Sequence, residues 1–250
     1  MPRLNSSSPR PIISPKTPRN ARSPKTFKYP YDFEHVYQFE IVLNNIEPKI
    51  WRRIQVPNTF SFWDLHCAIT DSLGWLDYHL HLFTMKNPKT GKTDRIGIPD
   101  KEDADMLGYK VLPSWGKRIG QYFNLNEKPN TTCKYDYDFG DGWEHVVTLE
   151  DNLEKEKGAV YPRCIAGERA CPPEDVGGVP GYERFATAVK YQNAVDHDEL
   201  LQWVGGWFDP DWFDLSLVRF EDPDLRWDIA FHGAKPKKGM RMVQYHHLHK

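Results

Sequence analysis

Asp138-Phe139-Gly140-Asp141-Gly142-Trp143-Glu144-His145 packs carboxylates, an imidazole and glycines into eight consecutive residues. Asp138 and Asp141 have the chemistry to orient a cation or a substrate hydroxyl, and His145 that of a general base or a ligand. The same residues also suit a plain hairpin, in which Asp141-Gly142 supplies the positive φ of a tight turn, Asp138 caps it and His145 pairs with a neighbouring acid. A second constellation follows closely. Cys164 and Cys171, with His145 and a carboxylate from Glu174 or Asp175, would complete the four ligands of a Zn²⁺ site. Six residues separate the two thiols, unlike the closer pairs of zinc knuckles, so both also suit small buried hydrophobes beneath a Pro/Gly loop. Pro172-Pro173 ahead of Glu174-Asp175, and Gly177-Gly178 after them, set the two acids on a rigid turn fit for a binding surface, a lid or a helix cap. His79 and His81 lie two apart, a spacing that lets imidazoles on one strand face chelate, although packed histidines are the commoner outcome. The chain has no serine nucleophile elbow, no dinucleotide fingerprint and no complete phosphate loop, because Gly177-Gly178-x-x-Gly181 lacks the Lys-Ser/Thr ending.

These groups need a frame. Tyr37, Phe39, Ile41 and Leu43 alternate with polar residues, and Ile50–Val56 reads as a returning strand after the turn chemistry of Asn44–Pro48. Ser61 suits an N-cap with Asp64 closing a shortened capping box, and Phe62, Leu65, Ile69 and Leu73 recur at helical spacing until Gly74. A strand over His79–Phe83, a long hairpin loop or meander over Lys86–Asp105 and a hairpin of Lys134–Asp138 with Glu144–Glu150 follow. Tyr161–Tyr182 is too rich in Cys, Pro and Gly for regular structure, after which helices are predicted over Tyr182–Val195 and Asp198–Trp203, then a short segment over Leu215–Phe220. Strands first and helices last predict an α+β domain: a mixed, largely antiparallel sheet packed by helices.

Charge is segregated along the 250 residues, for a net −2. Residues 1–28 carry seven basic side chains and no acid, residues 232–250 carry five and no acid, and the intervening body holds 21 basic against 35 acidic residues. We therefore expect a basic Ser/Thr-Pro arm over 1–30 that does not pack, one domain over 31–231 and a basic, His-rich tail over 232–250. The arm suits a solubilising tether, a phosphorylation-tuned or nucleic-acid-contacting segment, or an organelle transit peptide. No run reaches the length of a membrane span and the four cysteines do not form a secreted disulfide pattern, so the expectation is an intracellular protein, cytoplasmic or nuclear unless the arm acts as a transit peptide.

Several ordered motifs together resemble one family. Pro48-Lys49-Ile50-Trp51-Arg52-Arg53 with Val56-Pro57, Leu65-His66 before Gly74-Trp75, His79-Leu80-His81-Leu82-Phe83, and Tyr135 through His145 carry the likeness. It continues through Cys164 and Gly167, Ala170-Cys171-Pro172-Pro173-Glu174-Asp175-Val176-Gly177-Gly178, Gly181-Tyr182, Phe208-Asp209-Pro210 and Phe213-Asp214-Leu215. These resemble the plasmid pRiA4b ORF-3-like proteins, some of which travel as passengers of transposable elements. The resemblance implies an α+β fold and no particular reaction. The functional expectation is a non-enzymatic binding or accessory module that uses Asp138, Asp141, Trp143, His145, Glu174 and Asp175 as its recognition face. Protein or nucleic-acid partners would be reached through the basic tails, with no membrane and no identified small-molecule substrate. The alternative is a metal-dependent hydrolase or nucleic-acid-processing enzyme built on the Asp138–His145 hairpin, with zinc at Cys164, Cys171 and His145 as the cofactor to test.

Overall fold

The alternation from Val36 to Leu43 becomes strand β1 (His35–Leu43), and β2 (Ile50–Pro57) returns antiparallel beside it with Phe39 opposite Ile54. These and the strands that follow come from a computed structural model that describes residues 29–99, 108–123 and 131–237. The expected arm up to Lys28 and tail beyond Lys237 lie outside the described residues.

Ser61 caps α1 (Phe62–Leu73) as its sequence demands. Its hydroxyl accepts from the Asp64 amide at 3.1 Å, the Asp64 carboxylate accepts from the Ser61 amide at 2.8 Å, and Gly74 ends the helix at φ 97°. Phe62, Leu65 and Ile69 are fully buried in one cluster with Phe39, Ile41 and Phe83, so α1 lies on the inner face of the sheet. The sheet continues with β3 (His81–Lys86), β4 (Thr93–Gly97), β5 (Val111–Pro113), β6 (Thr132–Tyr137), β7 (Trp143–Glu154) and β8 (Arg163–Glu168), in the order β5-β4-β3-β6-β7-β1-β2-β8. Every neighbouring pair is antiparallel except β4 with β5. The predicted α+β class and mixed, largely antiparallel sheet are what forms.

Two expectations need correction. Tyr161–Tyr182 is not irregular throughout: Arg163–Glu168 adds to the sheet beside β2, and α2 (Gly178–Lys190) starts before Tyr182. Gly167 permits that pairing, because a Cβ there would lie 2.8 Å from Arg52 Cδ, 2.9 Å from Phe213 Cε1 and 2.9 Å from the Trp51 carbonyl oxygen. Arg52 itself is buried and donates to the carbonyls of Ser72, Trp51, Glu168 and Arg169 at 2.7–2.9 Å, under the ring of Phe213. The predicted segment after α3 (His197–Trp203) contracts to a single 3₁₀ turn at Leu215–Leu217, followed by an unforeseen helix, α4 (Pro223–His232). Asp222 caps α4 through its side chain, and Pro223 occupies the first turn, where a missing N–H costs nothing.

Candidate functional site

Period-two geometry decides where each predicted site residue goes. Trp143, His145, Val147 and Leu149 all face inward on β7, and neither Trp143 nor His145 has any exposure. Both were expected on the recognition face and both are core. The His145 ring stands against Trp75 and Tyr135, its Nδ1 is 3.2 Å from the Tyr135 carbonyl oxygen, and burial pushes its pKa down to about 3. A neutral, enclosed imidazole of this kind has no contact with solvent through which to act as a base.

The zinc set is not assembled either. Among the described residues, one group of three His, Cys, Asp or Glu ligand atoms lies mutually within 4.8 Å, and it is His79, Asp138 and Asp175. Cys164 sits on β8 and Cys171 follows it, both thiols raised by burial, which outweighs the nearby Arg52 guanidinium. His145 is on β7, separated from β8 by the two strands β1 and β2, so topology keeps it away from Cys164.

What the fold does converge is the β6–β7 turn and the Pro172–Gly178 loop. Asp138, just past β6 at φ 54°, divides its carboxylate between two tasks. Oδ1 accepts from the amides of Gly140 at 2.9 Å and Asp141 at 3.3 Å, which is the expected capping role, while Oδ2 lies 3.6 Å from His79 Nε2. Glu174 is divided in the same way. Its Oε1 accepts from the Leu76 amide at 2.8 Å and the Tyr137 hydroxyl at 2.9 Å, and its Oε2 lies 3.9 Å from His79 Nε2. Burial raises the Glu174 carboxyl above its ordinary range, against the pull of those two donors. Asp175, largely exposed at φ 58°, brings Oδ1 to 3.1 Å from the same nitrogen. Asp141 does not join the cluster. Its Oδ2 accepts from the Gly177 amide at 3.1 Å, at the start of α2, and so fastens the turn to the loop.

His79 is the member that sequence reasoning set beside His81, as one half of a chelating or packed pair, and not beside these acids. His81 instead stacks on His66 with ring centres 3.6 Å apart and is held neutral by burial and by that neighbour. The signal for His79 lies in the β3–β6 register: His81 pairs with Tyr137, and the Asp138 amide donates to the Leu80 carbonyl, which carries residue 79 to the Asp138 turn. Behind this face a buried network holds the frame. His66 bridges the Tyr135 hydroxyl (2.8 Å) and Asp77 (2.7 Å), while Arg226 pairs with Asp71 (2.6 Å), Glu221 (3.2 Å) and Asp77 (3.4 Å). Burial pushes the Asp77 carboxyl up, but His66 and Arg226 pull harder, so it ends below its ordinary value. A cleft of about 890 Å³ lined by Trp63, Trp115, Trp227, Asp64 and Arg118 has none of the His79 cluster in its wall.

Comparison with known proteins places this architecture. The chain is 41% identical to a protein of unknown function from Methanosarcina mazei Go1, MM3350, whose crystal structure it matches at a TM-score of 0.67 over 76% of this chain and all of that one. It is 33% identical over 165 residues to the uncharacterized protein y4hQ of Sinorhizobium fredii (strain NBRC 101917 / NGR234), covering 66% of this chain and 78% of that protein. The family model described as plasmid pRiA4b ORF-3-like protein matches residues 35–217, which take in the sheet, the His79 cluster and the Pro172–Gly178 loop. The chain belongs to the plasmid pRiA4b ORF-3-like family.

Proposed function

We propose that this chain is a non-catalytic binding module that takes a cationic ligand where the β6–β7 turn meets the Pro172–Gly178 loop. The observation that carries this reading is the convergence of three carboxylates, Asp138, Glu174 and Asp175, on His79 at a face open through Asp175. The other candidate reactive groups support it by being inert. His81 and His145 are buried neutral, and all four thiols are held protonated by burial. The metal-dependent hydrolase keeps Asp138 and Glu174 as cation ligands but loses His145, its expected base, to the core, so that reading would have to rest on His79 instead.

The basic arm and tail would add protein or nucleic-acid contacts of their own, since the acidic body repels a polyanion. The test is an amide NMR titration of the full chain with a lysine-rich peptide, spermidine and divalent metal salts, beside assays on generic ester, phosphodiester and peptide substrates. Shifts centred on residues 76–80, 138–142 and 172–178 with no turnover are expected. Turnover that disappears in His79→Ala would overturn the non-catalytic reading, and the absence of shifts at these residues with every cation would overturn the site.

A further inference from the structure

We infer that His79, Asp138, Glu174 and Asp175 form a binding site for a divalent first-row transition metal ion. The inference rests on the cationic-ligand reading above and names the ligand class. Distances carry the first part of the argument. Ligand atoms about 2.1 Å from a metal stand about 3.4 Å apart in a tetrahedral shell; the Asp175 and Asp138 oxygens lie 3.1 and 3.6 Å from His79 Nε2 and these three ligand atoms are mutually within 4.8 Å, while Glu174 Oε2, 3.9 Å from the same nitrogen, stands at the edge of the group.

Unmet valence carries the second part. Glu174 is only 5% exposed, its Oε2 is buried without any hydrogen-bond partner, and the buried Nε2 of His79 likewise has none in hydrogen-bonding geometry. A protonated imidazole would not resolve this, because its one Nε2–H can serve one of the three oxygens that surround it. A divalent ion serves all of them at once, and turns a buried carboxylate that costs stability into a ligand.

The supporting contacts have the form of a metal site. In Asp138 and in Glu174 one oxygen is pinned by protein donors and the other is left facing the common centre, which fixes both carboxylates before an ion arrives. Asp175, exposed at the open side, gives an ion a path of entry. One imidazole with carboxylates favours Mn²⁺, Fe²⁺, Co²⁺ or Zn²⁺ over the all-oxygen preference of Mg²⁺ and Ca²⁺.

The experiment uses the full chain with His246, His247 and His249 changed to Ala, so that the tail histidines do not report. After chelator treatment and buffer exchange under reducing conditions it is titrated calorimetrically with MnCl₂ and ZnCl₂, with MgCl₂ and CaCl₂ as controls, and its Co²⁺ form is examined by visible absorption. One equivalent of Mn²⁺ or Zn²⁺ per chain is expected, with Co²⁺ showing no thiolate charge-transfer band. Asp138→Asn and Glu174→Gln should each weaken binding at least tenfold. Asp175→Asn, at an exposed position, should weaken it severalfold and raise the thermal midpoint less on adding metal. Failure to bind one equivalent, affinity unchanged in Asp175→Asn and Glu174→Gln, or a thiolate band each overturns the inference. Absence of metal binding in a chain whose residues 138–142 and 172–178 still respond to the lysine-rich peptide removes the metal alone; absence of both removes the cationic-ligand reading as well.

Discussion

Replacing His145 by Phe separates an inert core histidine from a working one. The imidazole is fully buried, and its pKa falls from about 6.5 in the unfolded chain to about 3 in the fold. Between those values the unfolded state binds a proton that the folded state refuses, so stability is complete above pH 6.5 and is lost as the pH falls toward 3. At 1.36 kcal/mol per unit the whole shift is worth about 5 kcal/mol. A phenyl ring keeps the contacts with Trp75 and Tyr135 and gives up one hydrogen bond to the Tyr135 carbonyl, at a pH-independent cost of about 1 kcal/mol. Urea unfolding of both proteins at pH 7.5 and pH 4.5 gives the difference directly, and the other titrating groups cancel. The gap should move by about 2.7 kcal/mol in favour of His145→Phe at the lower pH. A gap that stays constant would mean that His145 gains its proton inside the fold, and its removal from the list of bases and ligands would be mistaken.

Three further outcomes test the frame around the site. Gly167→Ala should cost about 1–3 kcal/mol, since the new methyl meets Arg52, Phe213 and the Trp51 carbonyl below 3 Å; an unchanged denaturation midpoint would show that β8 is free to shift. Arg226→Met should cost about 3–5 kcal/mol by leaving Asp71 buried without its guanidinium and Asp77 with His66 alone, and additional Asp71→Asn and Asp77→Asn changes should recover part of it; equal stability of Arg226→Met and wild type would remove the network from the account. Ser61→Ala should cost about 1 kcal/mol through the lost capping box, read as a lower thermal midpoint, and no change would mean that tertiary packing alone starts α1.

How legible each part was depends on how local its signal is. The β1–β2 hairpin and α1 were readable to within a residue or two, because alternation, the Ser61–Asp64 box and Gly74 act within a few positions of one another. Strand β8 was not, since Arg163–Glu168 is half-buried along its length and its place beside β2 depends on Gly167 fitting under Arg52. Helix α4 was missed although Asp222-Pro223 is a good start signal; its apolar residues follow no clear stripe, and its anchor is the buried charge of Arg226. Within the site, Asp138, Glu174 and Asp175 were legible as acids held on tight turns. Trp143 and His145 were misplaced because the hairpin was read as one cluster of chemistry, whereas a strand sends alternate residues to opposite faces. His79 required the pairing of two strands more than fifty residues apart, which no local pattern reveals.

The guanidinium of Arg52 gathers four carbonyl oxygens from three places: the last turn of α1, its own strand, and the end of β8 with the residue after it. Those carbonyls have no common path along the backbone, so the side chain acts as their shared fastening. Amide protons in the last turn of α1 and along β8 should then exchange with deuterium as one unit, with a common opening free energy, instead of fraying separately from the sheet edge inward.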